Sequence, residues 1–551
     1  MDAKGLRGLA EDLFTKKQTL NTLHQEIANN FYPERADFTY IRQLGTDFAA
    51  NLTTSYPILC RRDLGDQMES MLRPTGKQWF HMKPVDASIN DNESKRWMQW
   101  AEKLMRNAMY DRATQFTRAT KEGDHDFAAF GSPVISIELD RDVNTLLYRC
   151  WHLRDCAWKE NAKGQIGFVG RRWKPTASDL MVLFKDKNHE KVRQVALKTP
   201  FEDVNVMHMV CEREMYDGMA KGFDGDAARI PRWSVWYDCD NQHLIEAIPI
   251  HGRYYVIPRW QTVSGSQYAF SPATVAALPE GRLIQAMAYT ILEAGEKIAN
   301  PPMVATIDAV RSDVSIYAGG LSWVDREYDE RLGPALRALT QDARGMPITL
   351  EMQQASRAIL KECFYLNKLS LPRNEGEMTA YEVGQRIQEY IRNALPLFAP
   401  METEYNGGLC EETFDILKRA GAFGSPFDMP RALRDAEVDW HFESPLHEAI
   451  DRQKVAAWQE GKQIIADAVA LDRTAIAMID APVALRDVLE VVVPAHWVRS
   501  EVAVEDIKEA QQAAEDAQTA LAAIQQGAEA AANLGSARKD VAQAGAVALP
   551  V

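Results

Sequence analysis

The chain has 551 residues, 46% hydrophobic and 26% charged, an ordinary globular balance too long for one small core, so two or more packed regions are expected. A net charge of −15 argues against a protein that grips DNA through clustered phosphate contacts, but not against a wall along which DNA slides, where an acidic balance avoids a deep electrostatic well. No apolar run has bilayer length, because 476–493 is broken by Asp480, Arg486, Asp487 and Glu490, and MDAKGLRGLAEDLF lacks a secretory core; a soluble protein made in a cytoplasm, with no membrane partner, is expected.

In chain order, Leu6, Leu9, Leu13, Leu20, Leu23 and Ile27 predict one helix over 5–32, stopped by Pro33. Further helices are predicted over Ser55–Met71, ending in the turn Arg73-Pro74-Thr75-Gly76, over Asn92–Asp111, and over Thr114–Phe130, ending at Gly131. Strands then follow: Val134–Leu139, Leu146–Trp151, Ile166–Arg172, Val204–Tyr216, Arg232–Asp238, His243–Ile248 and Tyr254–Thr262. The polar run between Tyr237 and Leu244 reads as a hairpin turn, and this middle third as an antiparallel sheet in an α+β fold.

Helix returns at Pro279. Over Glu280–Ala299, Ile284, Met287, Ile291, Ala294 and Ile298 keep a heptad-like spacing that fits a helix packed along a neighbour, and Asn300-Pro301-Pro302 ends it. Short strands are predicted at Met303–Ile307 and Leu321–Val324. A second helix over Leu350–Leu369 carries Met352, Ala355, Ile359 and Leu366 in register. After the loop Leu371–Gly376, Thr379 and Glu382 have capping-box spacing, opening a helix that kinks near Pro396 and Pro400 and continues to Arg419. The remainder, 431–551, is predicted largely helical, its last fifty residues rich in Ala, Gln and Glu.

Motifs for chemistry fail on spacing. Gly76-Lys77 is followed by Gln78 and lacks the first glycine of a phosphate loop. His447-Glu448 meets Asp451 where a zinc helix needs its second histidine. Asp238, Asp240 and Gln242 imitate a calcium loop, but His243 and Pro249 occupy its glycine and glutamate positions. The triplet Asp124-His125-Asp126 could orient a catalytic histidine, yet a lone triplet of this kind is far more often polarity on a helix surface. Strand alternation puts His208 on the face opposite Met209 and Cys211, against a shared metal site. Seven cysteines without a C-x-x-C pair read as separate reduced thiols. No acid, base, nucleophile, metal or cofactor site is expected.

Several segments in order resemble the portal, or head-to-tail connector, proteins of short-tailed (podovirus-type) bacteriophages: Leu23–Pro33; Leu64–Phe80, ending MLRPTGKQWF; Phe127–Ile137; Tyr268–Pro272 through Leu278-Pro279; Ile291–Pro302 (ILEAGEKIANPP); Met378–Val383; and Pro396–Gly421. The resemblance spans about 20–425, and beyond about 430 no segment aligns.

The resemblance implies a dodecameric ring at one capsid vertex of a virion, assembled in the host bacterial cytoplasm. It implies a wing over 1–278, an antiparallel stem at 279–299 and 349–370, a clip over 300–348, a tunnel loop at 371–377, a long kinked wing helix over 378–430 and a helical crown or barrel over 431–551. Ile284, Met287, Ile291, Ile298, Met352, Ile359 and Leu366 would pack the stem. Pro372, Arg373, Asn374, Glu375 and Gly376 would face double-stranded DNA, the charges of Arg373, Glu375 and Glu377 suiting weak, non-specific contact. Implied partners are other copies of the chain, DNA, a terminase motor that does the ATP-driven work, tail adaptor and nozzle proteins, and capsid and scaffolding proteins. A closed ring needs head-to-tail contacts between two different surfaces. The competing readings are another ring-shaped adaptor or scaffolding component, and a hydrolase with a dispersed site, which an activity lost on replacing His125 would reveal.

Overall fold

The computed structural model describes residues 1–43, 45–50, 52–86, 92–140, 145–217, 230–305, 323, 331, 336–338, 345–369, 401–425, 429–434, 437–442, 458, 461, 462, 485, 504, 507, 510 and 511. The chain divides into two compact units: Met1–His81, Ala101–Ser425 and Trp440–Ile450 form the first, and Met82–Trp100, Pro426–Asp439 and Asp451–Val551 the second.

The predicted first helix is two, α1 (Ala3–Lys16) and α2 (Gln18–Phe31). They part at Lys17, whose buried Nζ donates to the carbonyl oxygens of Leu153 at 2.5 Å and Cys156 at 2.8 Å. Nothing in a leucine repeat shows that an intervening lysine turns inward. Next come α3 (Tyr56–Leu72), β1 (Phe80–Pro84), α4 (Asn92–Met109) and α5 (Phe116–Phe130). The mixed region follows with β2 (Val134–Leu139), β3 (Leu146–Trp151), β4 (Cys156–Glu160), β5 (Ile166–Trp173), α6 (Ala177–Phe184), α7 (Glu190–Lys198), β6 (Val206–Glu212), β7 (Arg232–Asp238), β8 (His243–Ile250) and β9 (Tyr255–Val256).

Strands β4 to β8 pair antiparallel in sequence order, and β3-β2-β9 make a second antiparallel sheet. Alternation gives the five-stranded sheet two apolar faces. Met207, Met209, Cys211, Trp233 and Val235 pack under Leu6, Ala10, Leu13 and Phe14 of α1. On another side Val206, Trp236 and Ile245 pack with Ala177, Leu180, Phe184 and Val192 of α6 and α7. The largest cluster joins α2, α3 and α5 to helices described next.

These are α8 (Pro272–Ala299) and α9 (Gly345–Cys363), with β10 (Met303–Ala305) and β11 (Leu336–Ala338) between them. A short α10 (Leu366–Leu369) follows, then a π-helical turn at Met401–Asn406 leading into α11 (Gly407–Arg419), and β12 (Val438–Phe442). The sheets and helices make the class α+β. In the second unit, Val85 N donates to Glu437 O at 2.9 Å, and the rings of Trp97 and Trp100 lie 6.3 Å apart.

Several boundaries differ from the sequence reading. Strands β6 and β9 are shorter than expected, the latter because Tyr254 takes a positive φ of 64° and Pro258 follows. Strand β4 and helices α6 and α7 were not foreseen. Helix α8 starts at Pro272, not Glu280: Ser271 Oγ accepts from Thr274 N, proline takes the first turn, and Pro279 sits within the helix. Val275, whose carbonyl Pro279 leaves unpaired, is exposed to water. The expected helix over Leu350–Leu369 breaks at Tyr365, φ 57°. Residues 371–400, nearly all of 306–335 and of 443–551, and hence the predicted loop, capping box, crown and most of the strand at Leu321–Val324, lie outside the described residues.

Candidate functional site

The most distinctive surface is the hairpin of α8 and α9. Ile284 of α8 shares a core cluster with Leu360 of α9 and with Phe364 just after it, while beyond the far end of α8 an antiparallel ladder pairs Met303 with Ala338 and Ala305 with Leu336. The two helices therefore run antiparallel. Their root is fixed in the first unit. Ser271 Oγ donates to Ala128 O and Thr274 Oγ1 to Ala129 O, both at 2.7 Å, tying α8 to the end of α5. Gly281 lets α2 come close, since a Cβ there would lie 2.9 Å from Phe31 Cζ, and Phe31 in turn meets Phe364 edge-on at 5.4 Å.

The predicted hairpin residues fall into two groups. Ile284 and Met287 are buried in their own subunit, and Ile291 and Leu366 are half-buried. Ile298, Met352 and Ile359 are exposed, as are Tyr289, Leu292, Met303, Val304, Ile348 and Leu350, so large apolar side chains are concentrated on the outside of one hairpin. The buried face of α9 is Gln353, Ser356 and Leu360, continued by Phe364 just beyond its end, and Met352 and Ile359 lie off it. Pro372, Arg373, Asn374, Glu375 and Gly376 lie outside the described residues.

The triplet on α5 builds a scaffold. Each member meets a different arginine. Arg73 ion-pairs with Asp124, both fully buried, and donates to Asn406 Oδ1 at 2.7 Å. Arg61 Nη1 lies 3.0 Å from His125 Nδ1, with its guanidinium 3.9 Å from the centre of the Tyr32 ring. Arg35 holds Asp126 through two bonds, Nε to Oδ1 at 3.1 Å and Nη2 to Oδ2 at 2.9 Å. Burial pushes Asp124 up to about 6 against the pull of Arg73. Burial, and then the charge of Arg61, push His125 down to about 4, so its ring is neutral and accepts from Arg61. A histidine held this way positions helices.

The other candidates resolve as packing. His208 is buried with Nδ1 2.6 Å from Tyr255 Oη and Nε2 2.8 Å from Ser234 Oγ, its ring stacked on Trp236 at 4.0 Å, while Met209 and Cys211 face α1 as alternation requires. Asp238 accepts from Asp240 N and Asn241 N at 3.0 Å each, closing the β7–β8 turn. Lys77 N donates to Pro74 O, a plain turn. All seven cysteines are free, and among the described residues no three His, Cys, Asp or Glu side chains are grouped to hold a metal. No described helix is long and apolar enough to cross a membrane. His447 and Asp451 lie outside the described residues.

Sequence reasoning missed Lys17 and Arg171. Arg171 is buried, with its guanidinium 3.6 Å from the centre of a Trp151 ring and Nε donating to Tyr255 Oη at 2.8 Å. A lysine in an amphipathic helix and an arginine on a strand carry no signal of burial; each is turned inward by partners distant in sequence.

The chain matches the profile described as bacteriophage head to tail connecting protein over residues 3–494. It is 23% identical over 445 residues, 79% of this chain and 78% of the relative, to a probable portal protein of Bordetella phage BPP-1. A chain from the virion of a native gene transfer agent particle aligns over 72% of this chain and 88% of its own, with a TM-score of 0.33 and 9% identity, a likeness that carries no weight in the assignment. The profile match extends past residue 430, where no resemblance was legible. With that match over most of its length, the chain belongs to the bacteriophage portal, or head-to-tail connector, family.

Proposed function

We propose that this chain is the subunit of a dodecameric portal ring at one vertex of a phage capsid, the channel through which the genome is packaged and ejected. The observation that carries the reading is the hairpin of α8 and α9: buried at its root, and apolar on the outside along Tyr289, Leu292, Ile298, Met352 and Ile359. Exposed apolar surface concentrated on one element marks an interaction site, and membership of the connector family points to other copies of the chain as its cover.

In this reading the hairpin is the stem, the region around β10 and β11 the clip facing tail adaptor, nozzle and terminase, and the unit containing the sheets the wing, beside capsid and scaffolding proteins. Pro372, Arg373, Asn374, Glu375 and Gly376 form the tunnel loop against DNA, and 431–551 the crown or barrel. The ring forms in the host cytoplasm, resides in the virion, crosses no membrane and needs no cofactor. It performs no covalent chemistry; the ATP-driven work belongs to the terminase. Negative-stain electron microscopy of the purified chain tests the reading: rings with an axial hole are expected, and monomers at every salt and protein concentration would overturn it.

A further inference from the structure

A closed ring needs two different contact surfaces on each subunit. The first is a stripe on α9: Ile348, Met352, Ala355 and Ile359, spaced alternately four, three and four apart, are all exposed. The second is formed by Tyr40, Ile41 and Phe48, among the described residues 38–43, 45–50 and 52–54, all three exposed and Ile41 at 77%. These described residues are held in place at both ends. Gln25 Oε1 accepts from Phe38 N at 2.8 Å and Thr39 N at 3.1 Å, and Arg42 Nη1 donates to Pro33 O at 2.8 Å. At its other end Thr53 N donates to Gln285 Oε1, and Gln285 Nε2 to Thr54 O, both at 2.9 Å. Arg42 lies over the rings of Tyr40 and Phe48, 5.7 and 5.0 Å from their centres. An apolar loop so fixed loses little freedom on docking.

Two relations place the loop against the stripe of another copy. The first is height. The loop is bonded to α8 at Gln285, and just after it Tyr56 donates to Arg357 O at 3.3 Å, with the Arg357 guanidinium 5.2 Å from its ring centre. The end of this segment thus joins the hairpin at the level of Gln285 and of Arg357, two residues before Ile359. Rotation about a ring axis preserves height, so with the hairpin lying along the axis the anchored end of the segment in one subunit comes level with that part of the next. The second is direction. At 100° per residue Arg357, where Tyr56 meets α9, lies about 170° round the helix from the centre of the stripe, so the anchor of the segment and the stripe are on opposite sides of α9. Charge agrees: exposed Glu351 and Glu362 flank the stripe, while the loop carries Arg42, and its one carboxylate, Asp47, is turned to Ala49 N at 2.8 Å.

We infer that Tyr40, Ile41 and Phe48 of each subunit dock on the Ile348–Ile359 stripe of its neighbour, making a head-to-tail lateral contact beside the stem. The inference rests on the ring reading above. The full chain is tested with Ile41→Cys combined with Met352→Cys, or with Ile359→Cys, linked by a flexible bis-maleimide, with each single variant controlling for the seven natural cysteines. A ladder running past the dimer, at least tenfold stronger than in either single variant, is expected. Rings visible by microscopy without such a ladder would overturn the contact and leave the ring reading standing. Dimers from Ile41→Cys alone would show a symmetric contact between loops and also overturn it. If the unmodified chain never forms rings, both fall.

Discussion

Arg73, the residue after the last turn of α3, places its guanidinium against Asp124 in the middle of α5 and against Asn406 in the π-helical turn, so one cation fastens three segments far apart in sequence. The neighbouring pairs Arg61–His125 and Arg35–Asp126 extend the arrangement along α5.

Removing one partner of a buried pair strands a charge. Arg73→Met is expected to cost about 3–5 kcal/mol, whereas Arg73→Met with Asp124→Leu should recover most of that loss. Urea denaturation of the single and double variants checks this.

Three histidines should each weaken the fold as pH falls below neutrality. His125 is held at about 4, and His24 and His208, fully buried, lie well below 6.5, in each case chiefly through burial. In the unfolded chain all three take up protons near 6.5, so unfolding binds protons between there and about 4. Their stabilising contribution is complete above 6.5 and is lost as pH falls through the window. Asp124 and Glu402, pushed up by burial to about 6 and about 7, act the other way in the same window, so the three histidines are read by difference: from pH 8 to 5 the denaturation midpoint should fall further in the unmodified chain than in His24→Leu, which removes two buried ring nitrogens without hydrogen-bond partners.

Gly131 has φ 81°, and a Cβ there would lie 2.3 Å from the carbonyl carbon of Phe270. Both backbone strain and collision oppose a side chain, so Gly131→Ala should cost about 2–4 kcal/mol. Thermal unfolding provides the measurement.

Inward and outward positions of α8 should separate cleanly. Ile284→Asp puts a charge in the core and should cost more than about 4 kcal/mol. Ile298→Asp, on the exposed side, should change subunit stability by no more than about 0.5 kcal/mol while reducing ring assembly. Melting curves and electron microscopy of the same samples distinguish the two effects.

Deletion of residues 371–377 should leave rings intact and lower DNA packaging or retention in an assembly reaction. Loss of the rings would make this segment structural.

Much of the fold was legible where pattern and partner are local. The alternation of β2, β3, β6 and β7 and the turn at Asp238 are set by neighbouring residues. The break at Lys17, the early start of α8 and the inward face of α9 were not, because distant residues decide them: Leu153 and Cys156 capture Lys17, the carbonyls of Ala128 and Ala129 receive Ser271 and Thr274, and Phe31 meets Phe364. Of the hairpin, apolar spacing marked Ile284, Met287, Ile298, Met352 and Ile359 alike, and periodicity could not separate the first two, which face their own core, from the others, which are exposed. Gln353 and Ser356, polar yet buried, reverse the usual cue on α9.

The bonds from Ser271 and Thr274 to the last carbonyls of α5 make the hairpin a cantilever, clamped at one end. A sideways push at its tip is delivered as torque to α5, and α5 is riveted by three guanidinium groups. Bending must therefore be taken up between the clamp and the tip, beyond Met287, where the helices leave the shelter of the core.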